Sequence, residues 1–398
     1  MAQRATGTIM THSSPSIYPA STAAPRCETD GWPAWLDVDL GAIRRNAERM
    51  HAAARVPIVA MVKADGYGSG AVAVARTLVR MGERLWGFGV ATLLEADALR
   101  AAGIDARILC CTPLLPGELH AARRLDVRPA LHRTEDILAW GATGAAWHLS
   151  IDTGMSRAGV RWDEVVSLMP ALRRHPPEGV FTHFHSAEME DGTQEVQEMR
   201  FERALAGVRE ALPGSVLVHC DNSAGIASRA RADRGSPGAL ARPGIGLYGA
   251  VVTEFLALEQ TVHLRARVID IRVVHDGDTV SYGGTWRAVA TRRIATVAIG
   301  HGDGYRRALS DRGVALLHGT RVPVIGIVTM DMTMIDVTDV SCEIGHVVTL
   351  IGRDGPECLT TDAVAASGAL SPYELLVGLR LRVPRRYSAS PEDAGAGA

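Results

Sequence analysis

Pro57-Ile58-Val59-Ala60-Met61-Val62-Lys63-Ala64-Asp65-Gly66-Tyr67-Gly68-Ser69-Gly70 decides how the rest of the 398-residue chain is read. Val56 to Met61 is an apolar run of strand length. The glycines at 66, 68 and 70 break it into a tight turn, and the pattern from about Ala71 to Met81 is helical. A strand that turns through glycines into a helix brings backbone amides and the positive end of the helix close to a bound anion. Lys63, at the end of that strand, is the only lysine in the sequence, so every other permanently basic side chain is an arginine. A guanidinium stays protonated and cannot attack a carbonyl, whereas a desolvated ammonium can lose its proton and condense with one. A lone primary amine beside an anion-binding turn points to a phosphorylated aldehyde held covalently, which is pyridoxal 5'-phosphate (PLP).

Outward from this stretch, short apolar runs alternate with helical patterns. Trp35 to Leu40 reads as a short strand and Gly41 to Ala54 as an amphipathic helix. Then come Ile58 to Ala64, Trp86 to Ala91, Arg107 to Thr112, Val127 to Leu131, Trp147 to Ile151, Gly179 to Phe184, Val216 to Cys220 and Gly244 to Tyr248. Eight strands at this period, each followed by a helix, predict an α/β fold that opens with a (β/α)8 TIM-type barrel. After Tyr248 the pattern changes to β-type runs split by Gly, Asp and His-Asp-Gly turns, which predicts a mostly β C-terminal domain. The expected division is a disordered tail at 1–31, the barrel at 32–250, the β-rich domain at 251–386 and a frayed tail at 387–398.

Composition excludes several classes. Aromatic residues are 5% of the chain against 47% hydrophobic, so the core must rest on aliphatic side chains, as layered α/β packing does. A net charge of −2 with no long basic run gives nucleic acid and anionic membranes no purchase. No segment is long and apolar enough to span a bilayer. The six cysteines form no CxxC pair and no metal-ligand spacing, so free thiols in a cytoplasmic protein are expected, and no metal site.

On a barrel, polar residues that end the strands gather at the C-terminal rim, where active sites of this fold lie. Lys63 follows the first strand, Asp152-Thr153-Gly154-Met155-Ser156-Arg157 the fifth, His183 ends the sixth, Asn222-Ser223 follow the seventh and Arg242-Pro243-Gly244-Ile245 flank the eighth. Ser223, Gly244 and Ile245, in the loops after strands seven and eight, are the natural phosphate cradle.

These stretches, together with Thr182-His183-Phe184, Val280-Ser281-Tyr282-Gly283 and Met330-Asp331, resemble in order the motifs of the alanine racemase family, from about residue 33 to 386. The resemblance implies a PLP-dependent homodimer with shared sites that interconverts L- and D-alanine, or a related small amino acid such as serine. Lys63 would hold PLP and then act as base on one face of Cα, and Tyr282 from the partner subunit would act on the other. A phenol titrating near pH 10 is a poor base at neutral pH, so a nearby cation should favour its ionised form. By the same resemblance His183 and Arg242 link Tyr282 to the cofactor ring, with Arg242 facing the pyridine nitrogen. Arg157 binds the phenolic oxygen and the substrate carboxylate with help from the Met330 N–H, and Tyr67 joins the phosphate group of residues.

Four positions depart from the family. Ser150 stands where many members carry a carbamylated lysine braced against Arg157, which leaves room for an anion or a looser Arg157. His301 and Leu381 replace tyrosines at the gateway and near the phosphate, and Ile327 replaces a gateway arginine. Two other readings compete: a PLP-dependent decarboxylase of basic amino acids with the same domain plan, and a non-catalytic single-barrel PLP carrier. The first needs a catalytic Cys-Asp-Gly and an acidic partner for the pyridine nitrogen; the second needs no β domain and no Tyr282.

Overall fold

The computed structural model describes residues 31–212, 214–250 and 255–388. The proposed tails fall almost wholly outside them, as does Cys27, although Tyr387 and Ser388 are structured.

In chain order the strands are β1 (Ala34–Asp39), β2 (Ile58–Met61), β3 (Leu85–Val90), β4 (Arg107–Cys110), β5 (Val127–Leu131), β6 (His148–Asp152), β7 (Val160–Arg161), β8 (Gly179–Phe181) and β9 (Leu217–His219). They continue as β10 (Val262–Val274), β11 (Thr279–Val280), β12 (Trp286–Arg287), β13 (Arg292–Val297), β14 (Val314–Leu317), β15 (Thr320–Ile325), β16 (Thr333–Asp336), β17 (Val347–Asp354), β18 (Glu357–Leu359) and β19 (Arg385–Ser388). Two sheets organise nearly all of them.

The first is a curled parallel sheet in the order β2-β3-β4-β5-β6-β8-β9, with the two-residue β7 beside β6. Its strands read as unbroken apolar runs because both faces are covered, one by helices and one by the curled interior; all four residues of β2 are buried. The eighth strand expected at Gly244–Tyr248 does not form, and Ile245–Tyr248 is a 3-10 turn. Residues 239–243 fill the gap instead. The Ala239 and Leu240 N–H groups donate to the Val218 carbonyl (2.7 and 3.2 Å), and Ala241 N–H donates to Pro57 O at 3.1 Å. In return Val59 and Met61 donate to the carbonyls of Ala241 and Pro243 (2.7 and 3.0 Å). Pro243 has no N–H to offer, so the ladder stops there and the chain turns across the barrel mouth.

The second sheet runs β18-β17-β14-β15-β16-β13-β10-β1-β19. Because β17 also pairs with β10, six of its strands close into a ring. β1, although it precedes the parallel sheet in sequence, belongs here, antiparallel to β10 with Leu36 opposite Leu264 and parallel to β19. Two helices, Thr361–Ser367 and Pro372–Val377, interrupt the β pattern near the C-terminus.

Candidate active site

Lys63 opens a turn of the wrong hand. Ala64, Asp65 and Gly66 lie at φ 52°, 53° and 60° with ψ 45–50°, Tyr67 at φ 52° and Gly68 at φ 82°. Left-handed helical backbone costs an L-residue roughly 1–2 kcal/mol, and three of these five residues are not glycine. Several contacts hold the turn. Gly66 and Gly68 donate to the carbonyls of Val62 (2.8 Å) and Ala64 (3.0 Å), the Ala64 N–H donates to Glu95 Oε1 at 2.7 Å, and the Ala71 N–H donates to Asp65 Oδ1 at 2.9 Å. Arg385, from β19, donates through Nε to the Gly68 carbonyl at 3.0 Å. The reversed turn carries Tyr67 inward, where it is buried and stacks on Tyr248 with centroids 4.7 Å apart.

The phosphate-type residues come together. Ser223 Oγ accepts from the N–H of Gly244 (2.8 Å) and of Gly246 (3.1 Å), at the N-terminus of the helix Ser223–Arg231. Gly244 therefore spends its amide on Ser223, leaving the Ser223 hydroxyl proton and the Ile245 N–H as donors. Asn222 caps that helix by accepting from Gly225 N–H at 2.9 Å, and ties it to the Phe184 carbonyl. A Cβ at Gly244 would sit 2.5 Å from the Tyr67 hydroxyl. Since that ring is buried and stacked, Gly244→Ala should displace it, cost about 1–3 kcal/mol of stability by overpacking, and weaken PLP retention by about tenfold or more, measured as the PLP dissociation constant. Unaltered affinity would remove Gly244 from the cradle.

The charges converge as well. Burial and then the cations Arg242, Arg157 and Lys63, in that order, push the His183 imidazole down to about 3. Arg242, Lys63 and Arg157 also bear on the Cys111 thiol, which burial pushes up. Lys63, Arg157, His183 and Arg242 thus share one neighbourhood, and Cys111 lines it without having been singled out by the sequence. Arg157 is exposed on the loop after β6, with no ion-pair partner among the described residues, beside a cavity of about 490 Å³ that His132, Arg161 and Arg200 also line. Ser150 is buried in β6.

Tyr282 and Met330 lie elsewhere on the chain. Tyr282 starts a 3-10 turn after β11, follows Ser281 at φ 66°, and is 71% exposed; Met330 is 58% exposed. Ser281 Oγ donates to the Ile327 carbonyl (2.7 Å), while the N–H groups of His301 and Gly302 donate to the carbonyls of Thr329 and Met330 (both 2.8 Å). Arg382 pairs with Asp303 and Asp331, and neighbouring Leu381 is 67% exposed. The two gateway departures, Ile327 and His301, therefore sit on the same rim as Tyr282 and Met330, and Leu381 adjoins it through Arg382.

The model for the N-terminal domain of alanine racemase matches residues 38–252, and that for its C-terminal domain matches 261–387. The chain belongs to the alanine racemase family. An alanine racemase from Symbiobacterium thermophilum is 36% identical over 372 residues, spanning 89% of this chain and 97% of its own. The alanine racemase of Bacillus anthracis with bound L-Ala-P superposes with a TM-score of 0.80 at 32% identity, covering 89% of this chain and 95% of that one. That of Bartonella henselae, with covalently bound pyridoxal phosphate, superposes at 0.80 and 26% identity over 90% and 100%. Membership in the alanine racemase family leaves the decarboxylase and carrier readings without support. Among the described residues no helix is long and apolar enough to cross a membrane.

Sequence reasoning missed the groups that support this site. His219 and His148 are fully buried beneath Arg242, and Glu178 lies beyond them. Their signal was a histidine inside each of two apolar runs. Burial, followed by the charge of Arg242, lowers His219 well below the ordinary imidazole range; burial also lowers His148, against the pull of Glu178. With His183, three imidazoles stay neutral in the fold while the unfolded chain titrates near 6.5. The unfolded state therefore takes up protons first, and stability is lost as pH falls below about 6.5. Burial alone would raise the Glu178 carboxyl, but hydrogen bonds from His148 and Arg128 take it down to about 2, which extends the loss below pH 4.5. The urea midpoint of the ligand-free protein should drop steadily from pH 7.5 to 5; a flat profile would contradict three neutral buried histidines.

Proposed function

We propose that the chain interconverts L- and D-alanine with PLP held by Lys63, at a site completed by Tyr282 of the partner subunit in a homodimer. The observation that carries this reading is the presence of a half-buried lone amine and an exposed phenol in a member of a family of racemases. The donor set fits the cofactor: a single amine, a buried guanidinium with no adjacent carboxylate ion pair, and an asparagine-capped helix start whose Ser223 holds Gly244, where there is no room for a Cβ. When bound, PLP supplies an electron-withdrawing ring that makes the substrate Cα–H acidic.

The protein supplies the rest. Ser223, Tyr67 and Ile245 hold the phosphate with the helix N-terminus, and Asn222 keeps that helix in place. Arg157 takes the substrate carboxylate, assisted by the Met330 N–H of the partner subunit. Once substrate has displaced it, the Lys63 amine removes or returns the proton on one face of Cα, and Tyr282 of the partner subunit does so on the other. Two bases on opposite faces are what inversion requires. Held neutral, His183 offers Tyr282 of the partner subunit a hydrogen bond and no charge. The five free thiols among the described residues agree with a cytoplasmic setting.

Incubating the purified protein with PLP and single L-amino acids, then resolving the products on a chiral column, tests the assignment: alanine should racemise fastest, and an inert protein would end the proposal. With His301 and Leu381 in place of bulkier rings, serine should also turn over. The double variant His301→Tyr, Leu381→Tyr should lower the serine-to-alanine rate ratio by about tenfold, one missing contact of about 1–3 kcal/mol in a pocket.

A further inference from the structure

Arg242 carries five N–H groups, and four are committed. Nη1 donates to His219 Nδ1 (2.7 Å) and to the His219 carbonyl (2.8 Å); Nη2 donates to the carbonyls of Thr182 (2.6 Å) and Cys220 (3.2 Å). Only the Nε–H is left to face the pocket. What sets this allocation is the acceptor on His219, and the hydrogen bonds behind it admit one arrangement. A guanidinium cannot accept, so His219 Nδ1 must bear a lone pair and Nε2 the proton. His219 Nε2 lies 2.7 Å from His148 Nδ1, which must then be an acceptor in its turn. His148 therefore donates through Nε2 to Glu178 Oε2 at 3.2 Å, and Arg128 Nε donates to the same oxygen at 2.6 Å. Phe181, stacked on the His219 ring at 5.0 Å and lying 5.1 Å from the Arg242 guanidinium carbon, walls the line from the side.

We propose that Glu178, His148 and His219 are positioning residues: a one-way hydrogen-bond relay through the barrel interior that fixes which proton of Arg242 points at the cofactor ring. The proposal rests on the PLP reading for what Arg242 faces, but the relay itself belongs to the ligand-free chain. It runs from Arg242 at the barrel mouth, through the last residue of β9 and the first residue of β6, to the residue preceding β8, so it links the catalytic end of the barrel to the opposite end. The direction cannot reverse, because one terminus only donates and the other, as a carboxylate, only accepts. A proton added to either imidazole would set two N–H groups against each other at 2.7 Å. The neutrality that burial imposes on both rings serves the same end. Glu178, itself paired with Arg128, anchors the accepting end of the line, and among the described residues no carboxylate forms an ion pair with Arg242 that would compete with the ring nitrogen for the guanidinium.

The test uses the full chain without PLP, labelled with 15N-histidine, and reads ring tautomers by long-range 1H–15N correlation, with signals assigned by their loss in His148→Gln and His219→Gln. Both rings should be neutral Nε2–H tautomers, unchanged from pH 6 to 9; a Nδ1–H tautomer at either, or titration in that range, overturns the relay. Glu178→Gln, nearly isosteric, should move the His219 nitrogens although residue 178 does not touch them, and should weaken PLP binding by about tenfold, the loss of one hydrogen bond to a charged group. A His219 pattern identical to the parent's would reduce Glu178 to a partner of Arg128 and overturn the proposal. If the PLP reading is what fails, the parent will bind no PLP while the tautomers stand.

Discussion

Lys63→Ala should abolish covalent capture of PLP and with it the absorbance of the enzyme-bound cofactor near the edge of the visible range. No other side-chain amine exists in the sequence to replace it. Racemisation should fall by about 10⁴-fold or more, because the variant loses both the covalent anchor and a proton-transfer group worth about 10²–10⁴-fold by itself. The fold should survive: Lys63 is half-buried, takes no part in the hydrogen bonds that hold the left-handed turn, and alanine removes no packing that the Tyr67–Tyr248 stack depends on. Borohydride treatment followed by mass spectrometry supplies the control, since reduction should fix PLP to the parent at Lys63 and to nothing in the variant. A covalent PLP band in Lys63→Ala would refute the assignment.

Tyr282→Phe tests the second face. It removes a hydroxyl from a 71% exposed ring, so stability should be unchanged while racemisation drops by about 10²–10⁴-fold. The informative measurement is exchange of the Cα proton in deuterated water, one enantiomer at a time. The enantiomer whose proton faces Lys63 should still exchange with retained configuration, whereas the other should become inert. Equal losses from both would sink the two-base scheme. Mixing the two inactive variants sharpens the outcome: a dimer with one chain of each type contains one site with both native groups, so activity should return after subunit exchange. If Tyr282 served the site of its own chain, no mixture would recover.

The sequence carried the chemistry of this protein better than its closure. The lone lysine and its glycine turn could be read because each needs a particular residue type, an amine that can deprotonate and backbone without Cβ. The handedness of the turn could not, since Ala64, Asp65 and Tyr67 carry no mark of the positive φ that Glu95 and Arg385 impose from distant elements. Gly244 to Tyr248 has the composition of a buried strand, yet Pro243 withholds the N–H that would continue the ladder, and the closing segment moved to 239–243. The relay behind Arg242 joins residues 71 positions apart, and a single sequence offers no sign that two histidines in separate strands share a proton. The exposed rim around Tyr282, by contrast, follows from motifs that were already in view.

The placement of β1 sets a constraint on biosynthesis. Residues 34–39 leave the ribosome before any residue of the parallel sheet, but Leu36 must wait for Leu264. At about 5–20 residues per second that delay is on the order of ten seconds or more, spent with Trp35, Leu36 and Val38 unshielded while the curled sheet assembles downstream. The nascent chain is obliged to keep its first strand unpaired until nearly two-thirds of translation is complete.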